Sequence, residues 1–224
     1  MFYVKNNGLC FLFQKSFGTS GVNAIGSFQL SQLNSSSVKS KLKAAGINTN
    51  SKQYKAAVKQ MMSAGNGAMY GNIQGIKNLM SHYDKDGDYI NPVNGLAGLL
   101  VTDENESSRK RIISIPDSSK EEMYELTKKE FLRENGVCNG DTTKRTDVYN
   151  NLYRKMSKKD RLAAGYTLEK YERIYRQAFY DAAKKADPNW EIGKPIKDGA
   201  LDSVTRETAE SGKSPAQATL DTKI

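Results

Sequence analysis

Three aspartates, Asp84, Asp86 and Asp88, alternate with other residues in the short segment DKDGD. Carboxylates at the first, third and fifth places match the opening of an EF-hand loop, because every second side chain of a curled loop points toward a hard cation. An EF-hand has glycine at the sixth place and a bidentate glutamate at the twelfth, where this chain has Tyr89 and Gly95. The pattern therefore predicts a weak calcium site, with a dissociation constant on the order of 10⁻⁴–10⁻³ M.

The remaining oxygen ligands of such a site would have to come from outside the five-residue loop. The nearest acids are Asp103, Glu104 and Glu106, and Asn91 or Asn94 could supply an amide oxygen. The alternative interpretation is a turn that connects two helices without metal, since aspartate and glycine are favoured in turns for conformational reasons alone.

Residues for other kinds of chemistry are sparse. His82 is the only histidine, so His-rich metal centres are excluded, and its place near a helix end favours an interaction with the helix dipole. Cys138 precedes Lys144 and Arg145, which could lower the pKa of its thiol. Phosphate-binding glycine loops and C-x-x-C pairs are absent from the sequence. These features predict a non-enzymatic protein. An enzyme of unknown class, using the acids near Asp84 or Cys138, is the weaker alternative.

The charge is distributed unevenly along the chain. Residues 1–83 contain nine lysines and no arginine, aspartate or glutamate, whereas the remainder contains 34 − 9 = 25 basic and 25 acidic residues. This asymmetry favours an anionic partner such as nucleic acid, an acidic protein or an anionic surface. A compositional bias toward Lys, Asn and Ser would produce the same pattern without a partner.

Apolar residues recur every three to four places through most of the chain, which predicts helices. Ser35 and Thr167 are expected as N-caps, Ser118 and Glu121 as a capping box, and Gly165 as a helix end. The sequence thus predicts a mainly α fold: an irregular multi-helix bundle with at most a short extended segment, at residues 111–115. The predicted helices are 35–45, 50–64, 73–83, 118–135, 146–156, 157–164 and 168–186.

The boundaries follow from composition and periodicity. We expect a flexible N-terminal segment at 1–34, a helical domain at 35–196 and a disordered tail at 197–224. Within the domain, a lysine-rich helical hairpin (35–64) precedes a helical core (72–196) that carries the Asp-rich loop at 84–88. Trp190 and Ile192 are expected to fold back onto the core. The tyrosines on helix faces favour core packing over a stacking surface for bases.

Membrane and disulfide signals are weak. The longest apolar run near the start, Leu9–Phe13, falls far short of the ~20 residues that span a bilayer. Cys10 and Cys138 do not make a disulfide framework. The sequence predicts a soluble, cytoplasmic protein without a membrane span, the alternative being export without a cleaved signal peptide.

Four stretches of the chain are distinctive: KLKAAGINTNSKQYKAAVKQMM (Lys41–Met62), MSHYDKDGDYI (Met80–Ile90), ENGVCNGDTTKR (Glu134–Arg145) and ADPNWEIGKPI (Ala186–Ile196). They resemble an uncharacterised bacterial domain family of low-GC Gram-positive bacteria. The resemblance extends over about Val22 to Ile196 and implies a bacterial source and a single unit, with no known activity. An unknown protein partner is then the leading expectation and nucleic acid the second.

Overall fold

The computed structural model describes residues 28–63, 70–137 and 142–212. It divides the chain into two units, Met1–Leu100 and Val101–Ile224. Most of the predicted flexible segment (1–34), the end of the predicted tail (213–224) and Cys138 lie outside the described residues.

The described part of the first unit contains three α-helices and a pair of two-residue strands. In chain order the elements are β1 (Phe28–Gln29), a 3₁₀ turn (Leu30–Gln32), α1 (Ser36–Ala44), α2 (Lys52–Ser63), β2 (Tyr70–Gly71) and α3 (Ile73–Met80), with β1 and β2 antiparallel. Helix α1 has an N-cap at Ser35, whose hydroxyl accepts a hydrogen bond from the Val38 amide at 3.3 Å, as the sequence predicted. Helix α3 is capped by Asn72, whose side chain accepts from the Gly75 amide at 2.8 Å.

The core of the first unit corrects two predicted boundaries. Phe28 and Leu33 are buried in it, although both fall in the segment predicted to be flexible. Ile76, Leu79 and Tyr83 are buried in the same core, although α3 was assigned to the core at 72–196. The physical reason is that a hairpin of two short helices has too little apolar surface to bury itself. The other members of this core are Val38, Leu42, Ile47, Tyr54, Ala57 and Met61.

The second unit is a helical bundle. Its described elements are α4 (Glu106–Arg109), α5 (Asp117–Arg133), α6 (Thr142–Lys155), α7 (Arg161–Ala186) and α8 (Arg206–Gly212), with a 3₁₀ turn at Lys158–Asp160. Helices α5, α6 and α7 form its centre. The mainly α fold is confirmed. Residues 111–115 form no strand, and the regular strands of the described chain are β1 and β2. Within the described residues, no helix has the length and apolar character needed to cross a membrane.

Helix α7 is continuous where the sequence predicted two helices. Gly165, the expected stop, lies inside it. Glycine is required at this position because a Cβ would come within 2.5 Å of the Tyr153 hydroxyl oxygen. Thr167 is not an N-cap, since its hydroxyl donates to the Ala163 carbonyl at 2.8 Å. The capping box is also wrong: α5 begins directly after Pro116 without a side-chain cap. At Gly165, close packing requires the same residue type that elsewhere signals the end of a helix.

Residues 197–212 are ordered, so the predicted disordered tail is wrong over this range. Leu201, Val204 and Ala209 are buried in the core of the second unit. The Tyr175 hydroxyl donates to Glu210 at 2.7 Å, and Arg206 forms an ion pair with Glu121 on α5 at 2.7 Å. The burial of these three apolar side chains, together with the polar contacts, offsets the entropic cost of ordering a polar segment.

Candidate metal site

The Asp84–Asp88 loop follows α3 and is attached to α2 by one side chain. The amide nitrogen Nε2 of Gln53 donates to the Met80 carbonyl at 2.9 Å and to the Tyr83 carbonyl at 2.7 Å. The first acceptor lies at the C-terminal end of α3, where carbonyls lack helical partners. Gln53 thereby fixes where the loop begins. Sequence reasoning missed this residue, because nothing local relates it to carbonyls 27 and 30 positions away.

The backbone of the loop is closed by hydrogen bonds to Asp84. Its Oδ1 accepts from the amides of Asp86 and Asp88, each at 2.9 Å. Its carbonyl accepts from the Gly87 amide at 3.0 Å, and its own amide donates to the Asp88 carbonyl at 2.9 Å. Asp84 is half-buried, whereas Asp86 and Asp88 are exposed. Asp84 therefore shapes the turn, in addition to offering a carboxylate.

The structure brings the three predicted aspartates together. One carboxylate oxygen from each of Asp84, Asp86 and Asp88 lies within 4.8 Å of the other two. Like charges this close repel, and a divalent cation between them would replace repulsion with attraction. These three carboxylate oxygens, completed by carbonyls or water, suit calcium, which takes six to eight oxygen ligands at about 2.3–2.6 Å. The metal assignment itself stays a prediction.

Gly87 makes the close approach of the loop to α2 possible. Its φ is +88°, and a Cβ would lie 3.0 Å from the Lys52 carbonyl oxygen. Both conditions favour glycine over every other residue. Tyr83 and Tyr89 form an antiparallel bridge at the base of the loop, with their rings edge to face at 5.8 Å. Burial, and then the neighbouring Tyr89, raise the pKa of Tyr83 to about 12. The Tyr83 hydroxyl therefore stays neutral and adds no negative charge beside the loop.

The structure places the other expected ligands, two asparagines and three acids, in different surroundings. Asn91 and Asn94 accept hydrogen bonds through their side-chain oxygens from the amides of Val93, at 2.8 Å, and Leu96, at 3.0 Å. They therefore stabilise local turns. The candidate acids Asp103, Glu104 and Glu106 belong to the second unit.

His82 lies in the turn between α3 and the loop. It is half-buried, its amide donates to the Leu79 carbonyl at 3.1 Å, and its carbonyl accepts from the Ile90 amide at 2.8 Å. The described contacts of His82 are thus backbone contacts that shape the turn, consistent with the expected position at a helix end.

A second cluster of charges lies inside the second unit. Glu130 on α5 is 1% exposed, and Arg145 on α6 donates to it. Arg145 also pairs with Glu172 on α7 at 3.1 Å, and Glu172 pairs with Arg176 at 2.7 Å. No local pattern indicated this cluster, because its members are spread over three helices. Positive and negative groups alternate in it, as in a structural ion network.

Comparison with known protein families gives a match over most of the chain. Residues 47–224 match the model of the Domain of unknown function (DUF3879). The chain belongs to this family. The matched region includes the Asp84–Asp88 loop and runs past Ile196, where the resemblance seen in the sequence ended. No curated protein and no solved structure matches the chain. Function must therefore be argued from the residues themselves.

Proposed function

We propose that this is a non-enzymatic binding protein whose Asp84–Asp88 loop holds a calcium ion. The observation that carries the proposal is the convergence of the three carboxylates within 4.8 Å. A ligand set made only of oxygen suits a hard cation, whereas zinc and copper sites usually include His or Cys. The absence of a bidentate acid at Gly95 sets the expected dissociation constant at about 10⁻⁴–10⁻³ M.

The bound ion would stabilise the packing of α3 on α2. The loop contacts α2 at both of its ends: Gln53 binds the carbonyl of Tyr83, and Gly87 lies against Lys52. A cation that fixes the loop therefore also fixes these contacts. Because a ligand stabilises the state that binds it, calcium at ten times its dissociation constant should add about 1.4 kcal/mol to the free energy of unfolding.

Calcium titration tests the site. We expect calorimetry to show one calcium per chain with a dissociation constant of about 10⁻⁴–10⁻³ M, and calcium to raise the melting temperature. The double variant Asp86→Asn with Asp88→Asn should lose both effects. It removes two negative charges and keeps the Asp84 carboxylate that accepts the loop's backbone amides.

The matched control removes the same charge elsewhere. Glu125→Gln with Asp198→Asn changes two exposed acids of the second unit that are not candidate ligands of the loop. This variant should bind calcium as the wild type does. If both double variants bound calcium equally weakly, the loss would be an effect of net charge and not of the loop. If the wild type gave no heat at millimolar calcium, the proposal would be wrong.

We propose further that the partner is a protein that contacts apolar side chains of the second unit. Leu132, Val137 and Ile192 are 45%, 43% and 40% exposed. A hydrogen bond of 2.8 Å from the Gly193 amide to the Asn135 carbonyl joins the two segments that carry them. Exposed apolar side chains that lie close together are typical of the centre of protein interfaces. Ile192 was expected to be buried with Trp190, and its exposure is what brings it into this surface.

Paired variants test the partner surface. With the purified chain as bait, a protein counts as a partner when Leu132→Glu with Ile192→Glu lowers its recovery at least about tenfold, as hot-spot losses predict. Lys129→Glu with Lys155→Glu, also on exposed positions, should leave recovery within about twofold of the wild type. Proteins recovered equally with both variants would contradict this surface.

A further inference from the structure

The lysines of the first unit border a cleft between α1 and α2. The cleft has a volume of about 590 Å³, within the range of small-molecule sites. Its lining includes Lys39 from α1, Lys55 and Lys59 from α2, and Thr49 and Asn50 from the connection between these helices. The three lysines are exposed, so their ammonium groups are accessible to a ligand from solvent.

The part of the sequence that forms this cleft is rich in lysine and poor in acids. Residues 1–100 contain ten lysines and three acids, a balance of 10 − 3 = +7, and all three acids are in the Asp84–Asp88 loop. That loop contacts α2 at Lys52 and Ala56, whereas the cleft uses Lys55 and Lys59. Lysines four residues apart on a helix repel each other. An anion bound between them would relieve that repulsion.

We propose that this cleft binds a compact polyphosphate, a ligand with two or more adjacent phosphate groups. Lysine ammonium groups bind phosphate as point charges, and three of them suit a multivalent anion. The Thr49 hydroxyl and the side-chain amide of Asn50 can donate hydrogen bonds to further phosphate oxygens. This inference goes beyond the calcium loop and does not depend on it.

The residue types of the cleft and of its surroundings favour a small polyphosphate over a nucleic-acid strand. The aromatic residue in its lining, Tyr54, is only 6% exposed and thus offers no face for stacking a base. Burial raises the pKa of Tyr54, so its hydroxyl stays neutral and adds no negative charge. Arginine, which reads guanine through two hydrogen bonds, is absent from residues 1–108.

Calorimetric titration of the full chain with sodium tripolyphosphate, in metal-free buffer of low ionic strength, tests the proposal. We expect one site per chain. Lys39→Gln, Lys55→Gln and Lys59→Gln together should weaken binding by about tenfold or more, as the loss of charge-assisted contacts predicts. Lys41→Gln, Lys43→Gln and Lys77→Gln together remove the same charge from exposed positions outside the cleft lining, and should change binding by less than about twofold.

Four outcomes would overturn the proposal. They are an absence of binding by the wild type, equal weakening in the two triple variants, citrate binding as tightly as tripolyphosphate, and a short single-stranded DNA binding more tightly than tripolyphosphate. Binding that persists in Asp86→Asn with Asp88→Asn would support it and would separate this cleft from the calcium loop. Since all six lysines are exposed, each triple variant should retain the helical circular dichroism of the wild type.

Discussion

Arg145→Met is expected to lower the free energy of unfolding by about 3–5 kcal/mol, the usual cost of removing one partner from a buried ion pair. Arg145 contacts both Glu130 and Glu172. Glu130 is 1% exposed, so water does not replace the lost partner. Because the three residues lie on α5, α6 and α7, the effect should extend to the whole second unit. Urea denaturation followed by circular dichroism measures the loss.

A surface ion pair on α7 supplies the control. Arg173 pairs with Glu169 at 2.9 Å with both side chains about one-third exposed, and pairs of this kind contribute about 0.3–0.5 kcal/mol. Arg173→Met should therefore cost far less than Arg145→Met. Adding Glu130→Gln to Arg145→Met should recover part of the loss, because it removes the unpaired buried charge. Equal losses from the two arginine variants would contradict a buried network.

The cost of Arg145→Met should depend on pH with a defined sign. Burial raises the pKa of Glu130, and the Arg145 guanidinium opposes that rise. Without Arg145 the pKa of Glu130 in the folded protein rises further, while in the unfolded chain it stays near its ordinary value of about 4.3. Below that value Glu130 is protonated in both states. As pH increases above it, the folded variant retains the proton longer, so its stability falls and the measured cost grows toward neutral pH.

Local patterns predicted most helices, because helix periodicity and caps act over a few residues. The Ser35 cap and the end of α7 before Pro188 follow directly from such signals. Gly165 was misinterpreted because the same residue type serves as a stop and as a close-packing site. Only the distant Tyr153 distinguishes the two. The boundary at Leu100 carries no local signal at all.

The ordered segment after Lys197 shows a second limit of sequence reasoning. Its buried residues Leu201, Val204 and Ala209 do not follow a helical period, since only Ala209 lies in α8. The segment is held by contacts with residues some 35–90 positions earlier, including Tyr124 and Tyr175. A polar composition was therefore a poor guide to disorder, because a few anchors suffice to order a short segment.

The candidate metal site divides in the same way. The alternation of Asp84, Asp86 and Asp88 is local, so the sequence predicted that their carboxylates converge. The attachment of the loop to α2 through Gln53 depends on tertiary structure and could not be predicted. The side-chain oxygens of Asn91 and Asn94, expected as ligands, instead accept hydrogen bonds from backbone amides two residues further along the chain.

Trp190 connects the chain after α7 to the core of the second unit. It is 2% exposed, and its ring lies 6.0 Å from that of Phe131 and 5.7 Å from that of Tyr180, measured between centroids. Its indole nitrogen donates to the Lys194 carbonyl at 2.8 Å. Gly136, with φ +84°, leaves space for the ring, since a Cβ there would lie 2.9 Å from the indole.

Trp190→Ala should therefore lower the free energy of unfolding by about 3–5 kcal/mol, through lost burial and the cavity that remains. Trp190→Phe should cost less, because it keeps an aromatic ring beside Phe131 and loses the hydrogen bond to Lys194. Ile192→Ala, two residues further on and 40% exposed, should stay within about 0.5 kcal/mol of the wild type. Urea titrations followed by circular dichroism rank the three variants. If Trp190→Ala matched Ile192→Ala, the indole would not be part of the core, and the order of the segment that follows α7 would need another source.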